Sequence, residues 1–142
     1  MDDELKEKIA ELLENEDNAS IIKLTHSKIK DIKNNMLQKL QLNKETLKSF
    51  HKKLKNYRYV DELIDIRMGY YIRWINLKKV DDIKLTNGGI ICDIKIIDDK
   101  VQIVCKNNMN RFMQIKLDEC LIFQLISDQE NILLSVMEYI VK

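Results

Sequence analysis

Lysines are the residues of this 142-residue chain best placed to do chemistry. Lys44, Lys48, Lys52 and Lys55 recur at i, i+4, i+8 and i+11, so a helix would carry them as a stripe down one side. Lys53 and Arg58 extend the stripe, and Lys23, Lys28, Lys30, Lys33 and Lys39 precede it. At a rise of about 1.5 Å per residue, successive members stand about 6 Å apart along the axis, close to the phosphate spacing of a single strand. Such a stripe attracts phosphate backbones through counterion release and reads no bases, so any nucleic acid is expected to be held weakly and without sequence preference. The same lysines could instead form a solvated face, or a dock for an acidic segment of the chain.

Little else points to a reaction. The two histidines, His26 and His51, fall on helical patterns, and no serine or cysteine near them has an elbow-like context. Cys92, Cys105 and Cys120 lack C-x-x-C spacing, so no zinc site is expected. The acidic pairs Asp81-Asp82, Asp98-Asp99 and Asp118-Glu119 sit in turn-like contexts, where aspartate is locally favoured and neighbouring carboxylates point apart. Three glycines and no proline exclude Gly-rich phosphate loops and dinucleotide fingerprints. The expectation is a protein with no catalytic residue, no metal and no cofactor.

Charge is partitioned along the chain. Residues 1–17 carry net −6, residues 18–58 net +9 and residues 59–142 net −2, for a total of +1. Block asymmetry of this kind indicates a partner, or one block folding onto another. With 45% apolar and 33% charged residues the chain is expected to be globular. No apolar run approaches the length of a membrane span, and the acidic start MDDELKEK is unlike a secretory signal, so an intracellular location is expected.

Stripe positions must be held by elements. Leu5, Ile9, Leu12 and Leu13 mark a first helix, and Asn18 or Ser20 could cap a second. In the second, Ile22, Thr25, Ile29, Ile32, Met36 and Leu40 form a seam. Asn43 reads as the cap of a third helix, in which Leu47, Phe50, Leu54 and Tyr57 follow at helical spacing. The short link predicts an antiparallel hairpin of the second and third helices, with dimerisation through these helices as one alternative. The period then changes. Tyr70–Asn76, Gly89–Ile97, Lys100–Lys106, Arg111–Leu117 and Leu121–Ile126 read as strands. A two-residue turn at Asp98-Asp99 makes facing residue numbers sum to 197, which places Cys92 opposite Cys105. Alternation puts Trp74 in the core and Tyr71 and Arg73 on the other side, as a protein-binding surface. Ser127 followed by Glu130 is a capping box for a last helix, with Ile132, Val136 and Ile140 as its buried face.

Strands spaced this way, with a long first loop and a short segment (118–121) before the last strand, resemble the SH3-like or Tudor-like small barrels. The stretch YRYVDELIDIRMGYYIRWINL also resembles proteins of large nucleocytoplasmic DNA viruses in which a helical segment leads into such a barrel. The likeness covers about residues 54–126 and implies a virus-encoded intracellular protein, in the host cytoplasm or the virion; it transfers no catalytic residue. The expected fold is therefore α+β: a helical region over 1–58 (acidic 1–17, basic 18–58), then a five-stranded antiparallel SH3-like barrel with a C-terminal helix over 59–142. The expected function is a non-catalytic accessory or structural one. Nucleic acid would bind through Lys44, Lys48, Lys52, Lys53, Lys55 and Arg58, and a protein through Tyr71 and Arg73. The alternative is a purely protein-binding assembly subunit that forms a homodimer.

Overall fold

The computed structural model describes residues 3–14, 21 and 24–141. The expected caps at Asn18 or Ser20, together with Ile22 and Lys23, lie outside the described residues, as do the side chains of Leu5, Ile9, Leu12 and Leu13. The elements are helix α1 (Asp3–Glu14), α2 (His26–Gln38) and α3 (Lys44–Lys53), strands β1 (Tyr57–Val60), β2 (Tyr71–Asn76), β3 (Gly89–Ile97), β4 (Lys100–Lys106), β5 (Phe112–Lys116) and β6 (Cys120–Leu125), and helix α4 (Asp128–Val141). Single 3₁₀ turns occupy Leu63–Asp65 and Leu117–Glu119. The chain divides into two compact units, Met1–Ile32 with Ile126–Lys142, and Lys33–Leu125.

The larger unit is built on one antiparallel sheet in the order β1-β6-β2-β3-β4-β5. It is open and six-stranded, which corrects the expected five-stranded closed barrel. The physical reason is β1. This strand pairs with β6 from Tyr57↔Leu125 to Val60↔Ile122, while β2 takes the other edge of β6. β1 thus takes the edge of β6 that β5 would need to close a five-stranded ring, and among the described residues β5 pairs with β4 alone. Tyr57 continues the spacing of Leu47, Phe50 and Leu54, so the sequence predicts helix up to residue 58 where the structure has already begun a strand.

β6 is buried on both faces, as its run of apolar residues requires. On one face Leu121 and Phe123 join Ile75 against Leu37 of α2 and Phe50 and Leu54 of the α3 end. On the other, Cys120 and Ile122 meet Val60, Ile66, Ile72, Trp74, Ile91, Ile103 and Cys105, so the sheet curves over its own apolar face. Gln124, in the same strand, is buried: its Nε2 donates to Asp65 O (3.0 Å) and its Oε1 accepts from Arg67 N (3.0 Å).

The helical hairpin is also corrected. The buried stripe of α2 is Ile29, Lys33 and Leu37 rather than the expected seam, and Ile32 is 40% exposed. Leu37 belongs to the sheet-packed cluster and Ile29 to a different one, so α2 and α3 do not make a self-contained pair. Their link is local: the Lys33 ammonium, on a residue only 5% exposed, donates to Leu54 O (2.8 Å), Tyr57 O (3.0 Å) and Lys55 O (3.4 Å). These are carbonyls at the end of α3 and the start of β1, where a helix leaves its last acceptors unpaired and a cation is favoured.

The β3–β4 hairpin keeps the expected register from Asp93↔Val104 to Ile97↔Lys100. Asp98 and Asp99 form its two-residue turn with φ of 52° and 62°, the left-handed values that match the twist of the strands. A bulge between Ile91 and Asp93 then shifts the pairing, so Cys105 faces Ile91 and the expected Cys92–Cys105 facing pair does not form.

In the smaller unit Ile21, Ile29, Ile126, Leu133 and Leu134 form the core. Thr25 Oγ1 accepts from Lys28 N (3.1 Å) at the start of α2, and the Glu138 carboxylate takes His26 N (2.5 Å). The capping box of α4 is complete: Ser127 Oγ accepts from Glu130 N (3.1 Å) and Glu130 Oε1 from Ser127 N (3.0 Å). Its buried face is Leu133 and Leu134. The expected face is wrong at Ile132 (50% exposed) and Ile140 (61%).

Two outcomes are expected from these contacts. Ser127→Ala should lower stability by about 1 kcal/mol, the usual worth of such a cap, read from the urea midpoint. Lys33→Met should cost more, about 2–3 kcal/mol, because buried carbonyls lose a charged donor. A Lys33→Met protein as stable as wild type would show that the clamp contributes nothing.

Candidate functional site

Helix α3 owes its orientation to its two ends and its apolar side. Asn43 caps it, its Oδ1 accepting from Thr46 N (2.8 Å). Phe50 is buried under the sheet, as is Leu54 at the C-cap. Lys33 holds the carbonyls beyond. Rotation is thereby fixed, and it turns Lys44, Lys48 and Lys52 to the exposed side, with Lys53 and, in the following turn, Lys55 exposed beside them. Glu45 is the only carboxylate on α3 itself. Among the described residues, no carboxylate lies within ion-pairing distance of these five ammonium groups. Lys39, just past the end of α2, is exposed as well. His51, on the flank of α3, is engaged: its Nε2 lies 3.1 Å from Asn34 Oδ1.

Two residues expected on the basic surface lie elsewhere. Arg58 is 4% exposed on β1, where strand alternation sends Arg58 and Val60 to the sheet face opposite Tyr57 and Tyr59. Lys33 is the buried clamp. The stripe is therefore Lys44, Lys48, Lys52, Lys53 and Lys55.

Tyr71 and Arg73 lie on one side of β2, and Trp74 is buried as expected. The Tyr71 hydroxyl donates to Asn87 O (2.6 Å) and Arg73 Nε to Thr86 O (2.8 Å). Thr86 in turn is tied to β2 by Thr86 N donating to Trp74 O (3.0 Å) and Trp74 N to Thr86 Oγ1 (3.1 Å). Both side chains thus hold the loop after β2 in place. Gly88 makes that close approach possible: its φ is +85°, and a Cβ there would stand 2.0 Å from Ile72 O. Nearby, burial pushes the Tyr57 hydroxyl above its ordinary pKa, with Arg73 acting in the opposite sense.

Three members of the acidic pairs meet lysines. Glu119 lies 2.8 Å from Lys78 Nζ and 3.8 Å from Lys116 Nζ, Asp118 lies 3.7 Å from Lys100 and Asp82 lies 3.2 Å from Lys84. The Lys78 hydrogen bond holds the Glu119 carboxyl below its usual range. Among the described residues there is no group of three or more His, Cys, Asp or Glu able to hold a metal ion. Burial raises the thiols of Cys105, to about 12, and Cys120, to about 11, which keeps both protonated and unreactive.

No protein-family model, curated protein or solved structure matches this chain, so the likeness to viral proteins gains no support from them.

The thiols give a direct check on the β3 bulge. Cys92 is half-buried while Cys105 and Cys120 are buried. In the native protein a thiol reagent should therefore modify Cys92 first, and the other two only on unfolding. Equal rates for all three would contradict the packing of β3 on β4.

Proposed function

We propose that this is a non-catalytic accessory or structural protein that binds nucleic acid weakly, and without sequence preference, through the exposed lysines of α3. The observation that carries the reading is the placement of Lys44, Lys48, Lys52, Lys53 and Lys55: all are exposed on or just after one rigid, capped helix, and free of described carboxylate partners. Free ammonium groups on a fixed backbone release phosphate counterions at little ordering cost. A protein partner on the sheet-bearing unit, and a virus-encoded intracellular setting implied by the YRYVDELIDIRMGYYIRWINL segment, belong to the same proposal. No described helix is long and apolar enough to cross a membrane.

The test is binding to a random duplex and to a single strand, with Lys44, Lys48, Lys52 and Lys55 intact or all changed to glutamine. Four phosphate contacts give a logarithmic salt slope near −3.6 on a duplex, so affinity should fall about a hundredfold between roughly 50 and 200 mM salt. The glutamine variant should keep its fold, since the four side chains are exposed, and lose most of that slope. Absence of wild-type binding to either strand form at the lower salt would refute the proposal.

A further inference from the structure

The second outer strand of the sheet, β5, carries a different kind of surface. It pairs with β4 from Gln102↔Lys116 to Lys106↔Phe112 with no bulge. At the turn, Asn107 N donates to Arg111 O (3.0 Å), which makes 107 and 111 a hydrogen-bonded pair. Antiparallel pairs alternate, so Met113 and Ile115 direct their backbone groups to β4. Phe112, Gln114 and Lys116 direct theirs outward, where no described strand pairs with them. The devices that usually blunt an edge are thin here: β5 has no proline, no bulge, and one lysine.

The strand is also complementary to itself. Laid antiparallel to a copy about Gln114, residue numbers across the new edge sum to 228. Phe112 then faces Lys116 of the second copy, Gln114 faces its own counterpart, and Met113 faces Ile115. This register brings the outward-directed backbone groups of 112, 114 and 116 opposite one another, so each can exchange N–H and C=O with its partner. Side chains agree with it on both faces. Met113 and Ile115, half-buried against the sheet's apolar cluster, would meet at the closely spaced positions. On the other face Phe112 is 67% exposed and already carries a cation, Lys106 Nζ lying 5.8 Å from its ring centre. Lys116 of a second copy would approach that same ring. Gln114 already bonds Gln102, and its counterpart would extend an amide ladder across the edge.

We propose that the outer edge of β5 is an interface between two copies of this chain, paired antiparallel about Gln114 into one continuous sheet. A strand this short buries less than a standard interface, so association should be weak and appear only at micromolar or higher concentration. This does not rest on the nucleic-acid reading, although a dimer would present two basic helices at once.

The register predicts that position 114 faces itself, and that allows a test in which the fold controls itself. The mass of the full chain is measured by analytical ultracentrifugation from about 1 μM to about 1 mM, a span that brackets weak association. The same is done for Gln114→Glu, for Gln114→Lys and for an equimolar mixture of the two. Wild type should move from monomer to dimer. Each variant alone sets like charges directly opposite and should need several-fold higher concentration, whereas the mixture sets opposite charges there and should dimerise at least as well as wild type. Recovery in the mixture excludes misfolding as the cause of loss. A wild type that stays monomeric throughout overturns the proposal. So does a dimer that the single variants leave unchanged, which would assign association to another surface, or a mixture that fails to recover.

Discussion

One buried ammonium decides much of the larger unit. Lys33 sits where the pattern of α2 demands an apolar residue, between Ile29 and Leu37. It is accepted there because the carbonyls of Leu54, Lys55 and Tyr57, from the end of α3 to the start of β1, converge on it. A helix end buried without partners would be costly, and so would a buried ammonium. Each satisfies the other. The contact stops α3 at Leu54, turns the chain into β1, and sets the rotation of α3 about its own axis. Everything on the exposed side of that helix follows from it.

The strand that begins there, β1, determines the second large feature. By pairing with β6 it covers one edge of the central strand, and the other edge is already held by β2. The sheet can then bury both faces of β6, one under the helices and one by curvature. It cannot close. Its free edges are β1 and β5, and the character of the edge at β5 is a direct consequence of where the fourth and fifth strands end.

Charge follows the same logic. Elsewhere on the sheet unit a few lysines are paired at close range, as Lys78 and Lys116 are with Glu119. On α3 the exposed lysines are left unneutralised among the described residues, and on a rigid support.

Local signals in the sequence were sufficient wherever a few adjacent residues settle the geometry. The Asn43 cap, the Ser127–Glu130 capping box, and the Asp98-Asp99 turn with the register that runs from it are all of this kind, because each depends on contacts within a turn or between neighbouring strands. Other features needed the tertiary structure. Lys33 reads as one more surface lysine until the carbonyls that bind it are in place. Arg58 and Tyr57 continue a helical pattern until β6 captures them as a strand. Cys92 faces Cys105 in an ideal ladder, and only packing of the sheet places the bulge that parts them. Closure was the furthest beyond local reach: the five-stranded ring needs a free edge on β6, and here a tetrapeptide that begins on a helical pattern takes that edge.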